Sequence, residues 1–132
     1  MRVIIADDST IMLDRLQQML LSLTDVEVVG TFSNGTDALS ALHKLKPDLA
    51  ILDNKMPGIK GVDIIREIRK EDSKMKLMLL TFYADTYYRE QAMNAGADYF
   101  FSKSDDFEKI PELIDQLRKN EMEKVQLQPE TL

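Results

Sequence analysis

Three aspartates, a threonine and a lysine stand where short apolar runs end. Asp7 and Asp8 follow Val3-Ile4-Ile5-Ala6, and Asp53 follows Leu49-Ala50-Ile51-Leu52. Thr81 closes Leu77-Met78-Leu79-Leu80, and Lys103 comes just after Tyr99-Phe100-Phe101. If these runs are parallel strands of one sheet, the polar groups face the crevice beyond the strands' carboxyl ends, provided the first and third strands are neighbours. Carboxylates gathered there repel: a pair ~5 Å apart at an effective dielectric near 20 is unfavourable by roughly 3 kcal/mol. Either one carboxyl keeps a proton at a raised pKa, or a cation neutralises the group. All-oxygen donors suit a hard divalent cation, and few protein ligands with room for water suit Mg²⁺ better than Ca²⁺. Lys103 then reads as a fixed counter-charge for a phosphate-like oxygen. Thr81 can donate its hydroxyl to the same oxygen, although a β-branched residue in a strand needs no functional reason.

Helix capping is the competing use of such acids. Asp8 can equally cap the helix that follows it, and Asp105 and Asp106, with Ser104, read as caps of the last helix. Asp53 does not fit that role, because a loop containing Pro57 and Gly58 intervenes before the next helix.

The elements that position these residues alternate along the chain. Val3–Ala6 and Leu49–Leu52 are too continuously apolar for half-exposed strands and read as buried on both faces. Between the apolar runs lie helical periodicities: Met12, Leu16, Met19, Leu20 and Leu23; Ala38, Leu39, Leu42 and Leu45, ending before Pro47; Val62, Ile65 and Ile68; a polar stretch from Tyr88 to Ala95; and Ile110, Leu113, Ile114 and Leu117. Val26–Phe32 supplies the remaining strand, and Asn34-Gly35 reads as a turn. Five βα units without a hairpin signal predict an α/β fold, a parallel sheet covered by helices on both faces. Residues 1–120 form one domain on this reading. Residues 121–132 extend the last helix into a flexible tail, with no output domain expected.

Composition excludes several classes. With no cysteine and one histidine, thiol nucleophiles and Cys or paired-His zinc sites are ruled out, and a Ser-His-Asp hydrolase is a poor fit. No apolar run approaches the ~20 residues of a membrane span, and MRVIIADD turns acidic too early for a signal peptide, so no membrane and a cytoplasmic location are expected. A net charge of −6 leads to the expectation of no direct contact with nucleic acid.

Asp7-Asp8, Asp53 in LDNKMPG, Thr81 after MLL and Lys103 in GADYFFSK together resemble the response-regulator receiver domain of two-component signalling, of the single-domain chemotaxis type. The resemblance covers residues 1 to about 120 with the order and spacing of all five positions intact. It implies a flavodoxin-like three-layer αβα fold, with strands in the order 2-1-3-4-5. It also implies that Asp53 accepts a phosphoryl group from a sensor histidine kinase or a histidine phosphotransfer protein. Asp8, Asp53 and the backbone carbonyl of Lys55 would hold Mg²⁺, with Asp7 supporting it through water. Lys103 and Thr81 would bind phosphoryl oxygens, and Phe100 would turn inward as Thr81 moves. The surface of the fourth helix, fifth strand and fifth helix would then repack for a downstream protein partner or a homodimer formed on phosphorylation. Such a domain is a phosphoacceptor that catalyses its own phosphorylation and slow dephosphorylation, not a conventional enzyme.

Two departures from the family pattern stand out. Ser104 follows Lys103 where many receivers carry a proline in a cis bond. Bulky Phe82 and Tyr83 follow Thr81, and with Lys55 they are expected to screen the site from water and prolong the phosphorylated state. Two rival readings fit parts of the same pattern. One is an aspartyl phosphatase of the haloacid-dehalogenase type, which needs Asp-x-Asp and meets Ser9 where the second acid belongs. The other is a receiver that only binds partners.

Overall fold

A computed structural model describes residues 1–127, with side chains to residue 121. The strands are β1 (Arg2–Ala6), β2 (Glu27–Phe32), β3 (Leu49–Leu52), β4 (Lys76–Thr81) and β5 (Tyr99–Ser102). The helices are α1 (Thr10–Leu21), α2 (Gly35–Leu45), α3 (Gly61–Arg69), α4 (Thr86–Ala95) and α5 (Ile110–Leu127), the last preceded by a 3-10 turn at Phe107–Lys109. All strand pairs are parallel, in the order β2-β1-β3-β4-β5, as the resemblance implies.

Period-two alternation divides each central strand between two cores. Ile4, Ala6, Ala50, Leu52, Leu77 and Leu79 pack under α2, α3 and α4. Val3, Ile5, Leu49, Ile51, Met78 and Leu80 pack under α1 and α5. Both faces are covered, which is why these strands read as continuous apolar runs. At the edge, β2 stays partly exposed along its length.

The first crossover from β1 to β2 and the next back to β3 leave β1 and β3 adjacent, so the order reverses between them. Ala6 pairs with Leu52 and Thr81 with Ser102, which puts Asp7, Asp53 and Lys103 each one residue beyond a paired strand end. The adjacency assumed from sequence is therefore present.

Three local expectations are corrected. Asn34-Gly35 is not a free turn but the start of α2: the Asn34 side-chain oxygen accepts the Asp37 N–H at 2.8 Å. The same residue types serve turns and N-caps, so the dipeptide is ambiguous in sequence. Gly35 is required there, since a Cβ would lie 1.8 Å from the Ile59 carbonyl oxygen. Ser9, not Asp8, caps α1, its hydroxyl accepting the Met12 N–H at 3.2 Å. Asp106 caps no helix N-terminus through its side chain; it accepts the Ser102 N–H at 2.8 Å and pairs with Lys109 at 2.8 Å. The helical extension beyond residue 120 continues to Leu127, and the flexible tail expected after it lies outside the described residues.

Candidate functional site

The β1 and β3 ends deliver Asp7, Asp8 and Asp53 to one point. Carboxylate oxygens of all three lie within 4.8 Å of one another. Asp7 and Asp53 are buried and Asp8 is exposed at the rim. Two buried acids with one open edge make a cluster that can hold a cation, and the donor set, all hard oxygens, fits one that keeps water ligands.

Lys103 reaches the cluster from β5. Its Nζ lies 2.6 Å from Asp7 and 3.4 Å from Asp53, and its side chain is 4% exposed. One ammonium faces three carboxylates, so the negative charge is under-compensated. Burial and the neighbouring Asp7, with a smaller push from Asp8, raise the Asp53 carboxyl to about 6 against the pull of Lys103. Asp7 is further fixed by accepting the Ser9 N–H at 2.9 Å.

The floor below Asp53 is rigid. Asn54 accepts the Val62 N–H through its side chain at 3.0 Å and the Gly61 N–H through its carbonyl at 3.1 Å, tying α3 to the strand end. A Cβ on Gly61 would stand 2.3 Å from the Asp53 carbonyl oxygen, so only glycine permits this approach. Sequence reasoning missed Asn54. Lys60 occupies the cap position of α3 without a side-chain hydrogen bond, and the capping acceptor, the Asn54 side-chain oxygen, comes from across the loop.

Thr81 is buried, and its hydroxyl oxygen accepts the Tyr83 N–H at 3.0 Å, which leaves its own O–H free to donate. Phe82 and Tyr83 are largely exposed. The Lys55 ammonium sits 4.1 Å from the Tyr83 ring centre, and that of Lys103 sits 5.1 Å from the Phe82 ring centre. The bulky residues singled out after Thr81 thus meet the lysines that flank Asp53. Phe100 lies inward, 3% exposed, with the Arg89 guanidinium 5.0 Å from its ring centre. No peptide bond among the described residues is cis, so Lys103–Ser104 is trans.

A family model for the response regulator receiver domain matches residues 3–115. The chain belongs to that family. The receiver is 36% identical over 118 residues to the transcriptional regulatory protein YvfU of Bacillus subtilis, covering 89% of this chain and 58% of that protein. It superposes on the receiver domain of the response regulator NarL from Mycobacterium tuberculosis with a TM-score of 0.82 at 26% identity, covering 89% of this chain and 95% of the other. A LuxR-family DNA-binding response regulator from Staphylococcus aureus matches with a TM-score of 0.81 at 29% identity, covering 87% and 96%. The receiver spans less than two thirds of the length of the curated relatives it matches.

These relatives correct the expectation of no direct nucleic acid, because the proteins this receiver resembles include a DNA-binding response regulator. Net charge describes the field around these 132 residues and cannot speak for what relatives carry over the rest of their length. Among the described residues, no helix is long and apolar enough to cross a membrane.

Proposed function

We propose that the receiver accepts a phosphoryl group on Asp53 from the phosphohistidine of a sensor kinase or histidine phosphotransfer protein in the cytoplasm. The observation that carries this reading is the under-compensated cluster: a buried carboxylate at the β3 end, crowded by two others and reached by one buried ammonium. An Asp53 oxygen forms the new P–O bond while the P–N bond to the donor breaks, and the imidazole leaves with the electron pair. Asp53 attacks as the carboxylate, which its value of about 6 leaves available near neutral pH. Lys103, already between Asp7 and Asp53, counters the charge gathering on the transferred oxygens. Thr81 donates its hydroxyl to one of those oxygens.

Asp8, Asp53 and the Lys55 carbonyl, supported by Asp7, are the groups that would hold Mg²⁺. Bound there, the ion would neutralise charge on the carboxylates and the phosphoryl oxygens. As Thr81 is drawn toward the new group, the packing of Phe100 and the surface of α4, β5 and α5 change with it. That surface then meets a protein partner or a second copy of the receiver, and the relatives' names suggest transcriptional control as the output.

Phosphotransfer profiling tests the reading. A panel of labelled sensor kinases is expected to include one that transfers label to the wild type and none that labels Asp53→Ala. Label that persists in Asp53→Ala contradicts it. Turnover of p-nitrophenyl phosphate with Mg²⁺ is expected to be negligible, and brisk turnover favours the phosphatase reading instead.

A further inference from the structure

Phe100 occupies an unusual place for a fully packed ring. It belongs to β5, the last strand of the sheet, with no strand beyond it among the described residues. Its ring packs in the core layer shared with Ala92 and Ala95 of α4 and is 3% exposed. Those alanines are too small to cover it on their own. Arg89, itself exposed on α4, also lies over the ring, its guanidinium carbon 5.0 Å from the ring centre.

On the loop after β5, hydrogen bonds from Lys109 and the Ser102 N–H hold the Asp106 carboxyl below the usual carboxylate range, with a smaller contribution from the Arg89 charge. Asp106 in turn accepts the Ser102 N–H at 2.8 Å, directly before Lys103. Arg89 thus lies over the ring on the α4 side, and its charge reaches the β5–α5 loop. A guanidinium face over an aromatic face is attractive, and the attraction is lost when the ring swings out.

We propose that Arg89 is a positioning residue that latches Phe100 in its inward place and so favours phosphoryl acceptance at Asp53. The first half stands on the Arg89–Phe100 geometry. The second rests on the reading of Asp53 as phosphoacceptor and of Thr81 and Phe100 as its switch. Arg89 touches neither Asp53 nor the transferred group in this account, and acts only through the ring.

The test uses the full chain with ring-labelled phenylalanine and no added metal. Broadening of the Phe100 resonance by a soluble paramagnetic probe reports exposure of the ring. Wild type is expected to be protected, Arg89→Ala to broaden about threefold more, and Arg89→Lys to lie between them. Beryllofluoride with Mg²⁺ is then titrated into each variant. Arg89→Ala is expected to weaken binding about three- to tenfold in the wild-type background and not at all beside Phe100→Leu. Equal Phe100 protection in wild type and Arg89→Ala overturns the latch. So does an equal loss of affinity in both backgrounds, which marks a general structural role. If wild type binds no beryllofluoride, the phosphoacceptor reading falls, while ring exposure still decides whether Arg89 holds Phe100.

Discussion

Two ion-pair centres lie at opposite ends of β4 and β5, and they are built on different charge ratios. At the amino ends, Arg69 pairs one-to-one with Asp98 at 2.6 Å. Its guanidinium also donates to the carbonyls of Gly96, Asp72 and Met75, and the same Asp98 oxygen accepts the Leu77 N–H. Every strong group there has a partner, and the result is a clamp joining α3, α4 and the two strands. At the carboxyl ends, Lys103 makes an equally short pair with Asp7, yet Asp53 and Asp8 remain for one ammonium to serve. Bond length does not separate the two centres; completeness does. A satisfied network holds the fold, and an unsatisfied one of the same chemistry leaves charge that a bound cation could neutralise.

The contrast predicts opposite outcomes for matched substitutions. Asp53→Asn should lose all phosphoryl incorporation by intact mass after incubation with acetyl phosphate and Mg²⁺. Asp98→Asn should incorporate as wild type does, but lose about 2 kcal/mol in urea unfolding, because the partly buried Arg69 is left without its carboxylate. If Asp98→Asn abolishes incorporation while remaining folded, the division between clamp and site is wrong.

The stability of Asp53→Asn should also run the other way. A carboxyl raised from 3.8 to about 6 keeps its proton in the folded chain where the unfolded chain has released it. Stability therefore falls as pH rises through that window, and above it the wild type carries the full penalty, about 3 kcal/mol. Asp53→Asn should be more stable by up to that amount at pH 7.5 without metal, with the difference vanishing below about pH 4. Equal denaturant midpoints at pH 7.5 would contradict the crowding.

Added Mg²⁺ should offset the same penalty. At 100 times its dissociation constant the ion adds about 2.7 kcal/mol to wild type, and Asp8→Ala should lose most of that gain while Asp98→Asn keeps it. The smallest expected effect concerns the rim. Lys55→Asn with Tyr83→Ala removes the ammonium and ring that meet at 4.1 Å, and should shorten the phosphorylated half-life several-fold. An unchanged half-life sinks the screening role.

What was legible in the sequence divides along similar lines. Val3–Ala6 and Leu49–Leu52 announce strands buried on both faces because nothing polar interrupts them, and the strand order followed from the resemblance. The polar residues at strand ends were visible for the same reason: they stop apolar runs abruptly. Local capping was less legible, since Asn34, Asp8 and Asp106 belong to types that serve turns, caps and ion pairs alike. Long-range pairings were hidden. Arg89 over Phe100 and Asn54 beneath α3 depend on how elements pack, and no spacing rule joins them. The charge argument against nucleic acid failed because it described these 132 residues, while the curated relatives run beyond the stretch that matches.

On the proposed reading, crowding makes Asp53 the phosphoacceptor. The most direct measurement treats the full chain with acetyl phosphate and Mg²⁺, reduces any acyl phosphate with borohydride, and sequences the peptides by mass spectrometry. The account predicts homoserine at position 53 and at no other aspartate. Homoserine at Asp7 or Asp8, or none at position 53, contradicts it.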